Sequence, residues 1–355
     1  MSNICETGGG EYFAAANTGC GFVSYFDELF FCDGIKRRYI IKGGPGTGKS
    51  SLMRRVAEYA RTLGREVTLY YCSSDTSSLD GVVIDGAIAI FDGTSPHSYD
   101  TVLPGACDEL INLGAFWNAE GLVDNADILE RYSCAKKTAY SNAYGYLKAA
   151  AVTEAVLNNI TLECVVMEKL VSAVRRFCDK NIGEKSDNEG ALYHRQVSAL
   201  GVHGEAHLST LHNSAIRRFE INDYYGVAFL YMKELTRCVL RRGYKVYASY
   251  SPTRSDSPNE IFLPDIGIYA CVCQEECDES ATKINMKRFS DAARIAEVRR
   301  YYRTAAHARD TLADLAKKQL CIAGEMHANM EKIYVSNMDF ENLRKYTDAF
   351  IKRIV

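Results

Sequence analysis

Arg38-Tyr-Ile-Ile-Lys42, Gly43-Gly-Pro-Gly-Thr-Gly-Lys-Ser50 and Ser51-Leu-Met-Arg-Arg-Val-Ala-Glu-Tyr-Ala-Arg-Thr-Leu63 are the consecutive stretches that decide the fold of this chain. The first is rich in β-branched and aromatic residues, which predicts a β-strand. The second fits the pattern G-x-x-x-x-G-K-[ST] at every position. In the third, apolar residues recur at helical spacing before Gly64, which predicts an amphipathic helix. Together they predict a phosphate-binding loop between a strand and a helix.

The residue types of this loop suit a nucleoside triphosphate. Glycines let backbone N–H groups curve around a phosphate, and the N-terminus of the following helix adds positive potential. The lysine side chain reaches the β- and γ-phosphates, and the next hydroxyl is a ligand for Mg²⁺. We therefore expect ATP, or another nucleoside triphosphate, and Mg²⁺ as cofactors. The expected binding residues are Gly43, Gly44, Pro45, Gly46, Thr47, Gly48, Lys49, Ser50 and Ser51.

A carboxylate at the end of a second strand should complete the metal site. Loops of this kind work with an acidic residue that follows a buried strand and holds the Mg²⁺ water shell. The segment Ala87-Ile-Ala-Ile-Phe-Asp92 has this pattern. We therefore predict Ser50 and Asp92 as the metal site, the Walker B role for Asp92, and Lys49 with Asp92 as the main catalytic residues.

The group that would activate water is not evident from the sequence. Gly93 follows Asp92, where an ATPase often has a glutamate. Three weaker candidates lie nearby: Asp75 and Asp80 after the predicted strand at residues 67–71, and His97 after Asp92. A solvated turn or a cap explains each of them at least as well.

The chain compared with itself shows a duplication. Leu63–Asp75 aligns with Arg242–Arg254 at an offset of 179, and Arg37–Ile41 aligns with Arg217–Ile221 at an offset of 180. A repeat of this length indicates two copies of one structural unit.

Each copy is expected to begin with a strand, a short glycine-containing turn and a helix. The strands are predicted at Tyr12–Ala16 and Gln196–Leu200, and the helices from Phe22 and from His207. Alternating β and α elements indicate a mostly parallel sheet between helical layers. We therefore predict an α/β fold, a P-loop NTPase-type three-layer sandwich that is duplicated, each copy carrying a helical insertion or extension.

Two packed units follow from this alignment. Residues 1–195 are predicted to form the active domain, with a helical insertion at about 120–190. Residues 196–355 are predicted to form a degenerate domain that ends in helices. The second copy has lost a lysine, a hydroxyl and a carboxylate, so we do not expect it to bind a triphosphate in the usual way. At the repeat offset, Ala228 replaces Lys49, Phe229 replaces Ser50 and Cys271 replaces Asp92.

A family resemblance rests on the repeat and on four motifs. They are GGPGTGKSSLMRRVAE (43–58), YYCSSDTSSLDGVVI (70–84), AIAIFDGTSPH (87–97) and INLGAFWN (111–118). In these features the chain resembles a bacterial family of tandem P-loop ATPase-like proteins found mainly among Firmicutes. The resemblance implies two fused P-loop domains, each with a helical insertion, and ATP binding. Members often have two intact loops, and this chain departs from that pattern in its second half.

Composition limits the partners that we expect. A net charge of −3 gives no overall attraction to nucleic acid or to anionic lipid, so nucleic acid is not an expected partner. The N-terminal residues show no secretory signal, and no apolar run is long enough to span a bilayer. The thirteen cysteines are scattered, and the cluster Cys271-Val-Cys-Gln-Glu-Glu-Cys277 suits small buried residues better than a metal site. We expect a cytoplasmic protein with no membrane partner.

Three functions are compatible with these features. The first is a slow ATPase or nucleotide-driven switch, in which the degenerate half docks on the active half and supplies an arginine, Arg217, Arg218 or Arg254, to the γ-phosphate. The second is a small-molecule phosphotransferase with Asp75 or Asp80 as general base. The third is a non-catalytic module that senses ATP.

Overall fold

The computed structural model describes residues 9–186, 188–273 and 278–355. In the first part of the chain, short strands and one long loop lead into helices that occupy most of residues 119–181. The elements are β1 (Glu11–Phe13), β2 (Ala15–Thr18), β3 (Gly21–Ser24), α1 (Phe26–Phe30), β4 (Arg37–Lys42), α2 (Lys49–Thr62), β5 (Val67–Tyr71), β6 (Leu79–Ile84), β7 (Ile88–Asp92), β8 (Asp108–Asn112), α3 (Ala119–Asp124), α4 (Ala126–Cys164) and α5 (Met167–Asn181).

The second part of the chain repeats this order of elements and ends in two helices. Its elements are β9 (Leu192–His194), β10 (Ser198–Gly201), β11 (Gly204–His207), α6 (Thr210–Asn213), β12 (Arg217–Asn222), α7 (Val227–Arg241), β13 (Val246–Ser249), β14 (Glu260–Leu263), β15 (Ile268–Cys273), β16 (Thr282–Asn285), α8 (Ala292–Ser336) and α9 (Phe340–Ile354).

Each half contains a six-stranded mixed sheet. The strand order is β1-β5-β6-β7-β4-β8 in the first sheet and β9-β13-β14-β15-β12-β16 in the second. Only β6 and β14 run antiparallel to their neighbours. The two sheets thus have the same order and the same strand directions. The predicted α/β class, with mostly parallel sheets in two sheet-bearing halves, is confirmed.

The start of each half differs from the prediction. The helices predicted from Phe22 and His207 are wrong, because these residues lie in the two-stranded hairpins β2–β3 and β10–β11. Gly21 and Gly204 follow the hairpin turns with φ of 97° and 95°, a conformation that favours glycine. The short helices α1 and α6 begin only after these hairpins. The edge strands β8 and β16 were not predicted, since their polar sequences show no alternation.

Two outer helical layers cover the sheets, and one inner core joins them. On the first sheet, α2 and α9 cover the outer face, with Val56 and Phe350 in one cluster. On the second sheet, α7 and α5 cover the outer face. Between the sheets, Phe91 of the first half and Phe262 and Tyr269 of the second lie in a single buried cluster. The two halves therefore share apolar burial, the main stabilising contribution in a folded domain.

The last helix of each repeat packs on the sheet of the other repeat. In chain order α5 completes the first repeat, yet Leu170 and Val174 pack with the second sheet. At the end of the second repeat, Leu343 and Ile351 of α9 pack with the first sheet. The strand β9 precedes residue 196 and belongs to the second sheet. Sheets and cores therefore do not follow a simple division of the chain between residues 195 and 196.

The long helices α4 and α8 form an antiparallel pair that connects the halves. At one end, the amide of Asp291 donates to the carbonyl of Cys164 over 2.8 Å. At the other, the amide of Asn118 donates to the carbonyl of Asn337 over 2.7 Å. This pairing brings the C-terminal turns of α8 to the first half. No helix of the described ranges has the length and apolar character needed to cross a bilayer.

Candidate functional site

The glycine-rich loop connects the carboxyl end of β4 to the first turn of α2, as the sequence predicted. Gly46 and Gly48 have φ of 67° and 87°, a region in which other residues are strained. Thr47 is fully buried, and its hydroxyl donates to the carbonyl of Gly44 over 2.8 Å. A Cβ added to Gly43 would come within 2.6 Å of that hydroxyl oxygen. The glycines therefore allow a closed turn that other residues could not form.

Lys49 lies across this loop. Its ammonium group donates to the carbonyls of Gly43 and Gly44 over 3.0 and 2.8 Å. The same nitrogen is 3.6 Å from a carboxylate oxygen of Asp92, and both side chains are less than one fifth exposed. Parallel pairing of β4 with β7 sets Asp92 beside Ile41, so the carboxylate stands at the strand end next to the loop. The structure therefore brings the two main predicted catalytic residues together.

The two other predicted polar groups of α2 lie in different surroundings. The hydroxyl oxygen of Ser50 accepts a 3.0 Å hydrogen bond from the amide of Leu79, at the start of β6. Ser51 is exposed. Of the two hydroxyls, only that of Ser50 is therefore placed between the loop and the sheet.

Asp80 and His97, two of the weaker candidates, contact each other. Nε2 of His97 is 3.4 Å from Oδ2 of Asp80, and both side chains are buried. The His97 ring stacks on Phe26 with centroids 3.9 Å apart. Asp80 lies on β6 directly before Gly81, which the antiparallel register pairs with Phe91 of β7.

Asp75 has the role of a turn residue. Its carboxylate accepts hydrogen bonds from the Ser77 amide over 3.1 Å and from the Ser77 and Ser78 hydroxyls. Burial acts to raise the pKa of Asp75, but the Ser78 and Ser77 hydrogen bonds outweigh it and lower the pKa. A carboxylate stabilised in this way is a weaker base, which leaves Asp80 and His97 as the better-placed candidates.

The C-terminal turns of α8 cover the glycine-rich loop, which no feature of the sequence indicated. A Cβ on Gly44 would lie 2.7 Å from the ring of Tyr334, and a Cβ on Gly46 would lie 2.9 Å from Val335. Only glycines at these two positions allow α8 to approach so closely. The loop therefore contacts a helix that lies almost three hundred residues away in the chain.

A group of titratable side chains from α4 and α8 lies near Lys49. Lys136 Nζ is 3.5 Å from Nδ1 of His327, and Nε2 of His327 is 3.7 Å from Glu331. Burial, together with the charges of Lys136 and Lys49, lowers the pKa of His327 to about 4. Burial, followed by the charge of Asp75, raises the pKa of Glu331. His327 is therefore neutral at physiological pH, and the charged groups near the loop are Lys49, Lys136 and the nearby carboxylates.

The three arginines considered for the γ-phosphate are engaged elsewhere. Their hydrogen bonds hold them against the second half or against the middle of α4, whereas the side chains packed on the loop come from the end of α8. The expectation that one of them reaches the loop is therefore not supported. The partners of Arg217, Arg218 and Arg254 are the carbonyls of Asn181 and His212 and the carboxylate of Glu154, respectively.

The loop of the second half is two residues shorter than that of the first. It spans residues 223–226 between β12 and α7, against 43–48 between β4 and α2. Both helices start after a glycine with positive φ, Gly48 or Gly226, which makes these two residues equivalent. This deletion corrects the predicted alignment. The equivalents of Lys49 and Ser50 are Val227 and Ala228, not Ala228 and Phe229.

The strand register corrects the third predicted replacement. Ile41 pairs with Asp92 in the first sheet, and Ile221 pairs with Val272 in the second. The equivalent of Asp92 is therefore Val272 rather than Cys271. The lysine, the hydroxyl and the carboxylate are nevertheless all missing from the second half.

In the second half, the carboxylate of Asp223 is hydrogen-bonded at the N-terminus of α7. Asp223 accepts hydrogen bonds from the amides of Gly226 and Ala228 over 3.0 and 2.8 Å. Helix N-termini attract anions because their first amides lack partners within the helix. Asp223 thus satisfies amides of the type that a phosphate would need.

The Asp223→Ala variant should unfold more easily, by about 1 kcal/mol, because the amides of Gly226 and Ala228 lose their acceptor. The loss can be measured by urea denaturation followed by circular dichroism. Asp223→Asn keeps a side-chain oxygen and should lose less than half as much. Equal stability of wild type and Asp223→Ala would contradict the capping role.

Comparisons with known proteins identified no relative. No family model, no curated protein and no solved structure matches this chain. The family resemblance therefore stays a prediction.

The cysteine cluster at residues 271–277 lies only partly within the described residues. Cys277 lies outside the described residues, while Cys271 and Cys273 lie on β15, where burial raises the pKa of Cys271 to about 12. Within residues 9–186, 188–273 and 278–355, no group of three or more histidine, cysteine or acidic side chains is arranged to hold a metal ion.

Proposed function

We propose that the first half binds Mg·ATP, or another nucleoside triphosphate, and acts as a slow ATPase or nucleotide-driven switch of the P-loop NTPase type. The observation that carries the proposal is the position of Lys49, inside a glycine-rich strand–loop–helix connection and 3.6 Å from Asp92. An ammonium group in such a loop can bind the β- and γ-phosphates, and a carboxylate on the adjacent strand can hold a metal ion.

The oxygen groups around Lys49 fit Mg²⁺. Magnesium prefers hard oxygen ligands and is commonly held by one or two protein groups together with phosphate oxygens. Ser50, at the start of α2, and Asp92, at the end of β7, would hold it. When bound, Mg²⁺ neutralises charge that develops on the phosphates. The chain itself supplies the amides of the loop, the Lys49 ammonium and the Asp92 carboxylate.

Asp80 is the group that we assign to orient the attacking water. Its Oδ2 is buried and has no hydrogen-bond partner among the described residues. Such an atom costs stability, and a role in function explains why a protein keeps it. His97, fixed against Phe26, lies 3.4 Å from that oxygen and limits its orientation. A buried carboxylate oxygen held in this way can accept a hydrogen bond from water.

The Asp80→Asn variant is expected to lower ATP turnover by about 10- to 100-fold, because the amide is a much weaker acceptor for a water proton. Affinity for Mg·ATP should change little. Phosphate release under saturating ATP measures the effect, with exposed Asp100→Asn as the matched control. Wild-type turnover in Asp80→Asn would exclude this role.

Contact between α8 and the loop supports a switch. Nucleotide entering the loop has to share its space with Glu331 and Tyr334, which belong to the helix that pairs with α4 along its length. A ligand that binds one arrangement of this helix better than another shifts the equilibrium between them. Binding at the loop is therefore coupled to the helix pair.

Calorimetric titration with ATP and with GTP, in Mg²⁺ and in excess EDTA, tests the proposal directly. We expect saturable binding of at least one triphosphate that weakens without Mg²⁺. No binding of either nucleotide would refute it. ADP formation that requires an added acceptor would favour a phosphotransferase, and tight binding without turnover would favour an ATP-sensing module.

A further inference from the structure

A basic cleft lies at the edge of the second sheet, far along the chain from the glycine-rich loop. It has a volume of about 750 Å³ and lies between α5 and the strands β12 and β16. Its lining includes the buried or half-buried rings of Phe177, Phe219, Tyr231 and Phe289. No acidic residue is among the described residues that line it. The basic residues of the lining are Arg176, Lys180, Arg217, Arg218, Lys283 and Arg288.

The first half provides an internal comparison for this cleft. Tyr39 of β4 contacts Phe350 of α9 edge-to-face, with centroids 5.2 Å apart and an interplanar angle of 88°. Phe219 of β12 contacts Phe177 of α5 in the same way, at 4.8 Å and 84°. The helix α5 therefore lies on the second sheet as α9 lies on the first, and the two edges can be compared residue by residue.

In the first half, the basic residues at this edge are neutralised. Arg37 is 3.0 Å from Glu109, and Arg38 is 2.5 Å from Asp108. Arg353 of α9 also pairs with Glu109. These contacts lower the pKa of Glu109, chiefly through the hydrogen bond from Arg353. Three cations are thus matched by two carboxylates on β8.

The second half keeps the cations and lacks both carboxylates. The register pairs Tyr39 with Glu109 and the equivalent Phe219 with Thr282, so Thr282 replaces Glu109. One position earlier, Ala281 replaces Asp108. Arg218 has a more distant carboxylate, that of Asp278, at 3.9 Å. The second half therefore keeps Arg217 and Arg218, while the positions equivalent to Asp108 and Glu109 carry no charge.

We propose that this cleft binds a small molecule that carries at least one phosphate group and a planar apolar part. Its volume is that of an ordinary small-ligand site. Arginine side chains bind phosphate through paired N–H groups, and the half-buried ring of Phe177 offers flat apolar surface. Clustered like charges repel each other and destabilise the fold, and a bound anion reverses that effect.

The test uses adenosine monophosphate and inorganic pyrophosphate as probes, titrated into the Lys49→Ala protein by calorimetry. In that background the glycine-rich loop should contribute little binding. The double substitution Ala281→Asp/Thr282→Glu restores the acids that the first half has, and should weaken both probes by at least about tenfold. Lys318→Glu, an exposed site on α8 with the same change in net charge, should bind within about twofold of the parent.

A second variant distinguishes weaker binding from a folding defect. Lys180→Gln/Arg288→Gln removes two exposed cations of the cleft and should weaken the probes similarly, with an unchanged circular dichroism spectrum. No binding of either probe to the parent, or equal binding by parent and double acidic variant, would overturn the proposal. Preference for single-stranded oligonucleotides, with affinity rising with length, would overturn the small-molecule assignment. Failure of ATP binding at the first half would leave these outcomes unaffected.

Discussion

Replacing Lys49 with alanine is expected to weaken Mg·ATP binding by about 100-fold, or roughly 3 kcal/mol, and to abolish measurable turnover. The ammonium group is the only lysine or arginine group that the structure records as hydrogen-bonded to carbonyls of the loop within the described residues. Without it, the phosphate charge would be met by backbone amides alone. Titration calorimetry and phosphate release measure the two effects.

Lys36→Ala is the matched control for this experiment. Lys36 is an exposed lysine just before β4, at the end of the strand opposite the loop. Its removal lowers the net charge by the same amount and should leave affinity and turnover near wild type. Equal nucleotide affinity in wild type and Lys49→Ala would refute the proposed binding mode.

Replacing Phe350 with alanine is expected to destabilise the protein by about 3–4 kcal/mol, because a large aromatic side chain leaves a cavity in a packed core. Phe350 is 2% exposed and packs against Tyr39 of the first sheet, although it lies five residues from the end of the chain. Denaturant unfolding followed by circular dichroism measures the loss. The effect should include the first half, since α9 completes its outer helical layer.

Phe340→Ala, in the first turn of the same helix, separates packing from helix content. That side chain is 39% exposed, so its removal should cost less than about 1 kcal/mol. If Phe350→Ala were as stable as Phe340→Ala, the packing of α9 on the first sheet would be refuted. A loss of ATP affinity in Phe350→Ala at a temperature where the protein remains folded would further indicate that α9 supports the loop.

Much of the first half was predictable from short-range pattern. The strand β4, the glycine-rich loop, the helix α2 and the strand β7 occur where alternation, helical spacing and glycine placement predicted them. Lys49 and Asp92 come together because two parallel strands end at the same edge of a sheet. The repeat predicted two similar sheets, since equivalent sequences have equivalent local preferences.

Alignment at a constant offset failed wherever one copy had gained or lost residues. The loop at 223–226 is shorter than its counterpart, so the predicted equivalents of Lys49 and Ser50 were displaced by one position. The hairpins β2–β3 and β10–β11 were missed because their second strands, β3 and β11, have four residues each, too few for a clear alternation. The contact of Asp80 with His97 also depends on where the loop after β7 lies relative to β6, which sequence does not show.

The sequence by itself determined the strand–loop–helix unit, the carboxylate at the end of β7 and the loss of this chemistry in the second copy. Each of these depends on residues close together in the chain, whose conformational preferences are local. Three arrangements were decided by the tertiary structure alone. Each of α5 and α9 packs on the sheet of the other repeat, α8 covers the loop, and six cations line one cleft. These arrangements depend on apolar burial. Its free energy depends on the area and shape of the buried surfaces and not on how far apart the residues are in the sequence.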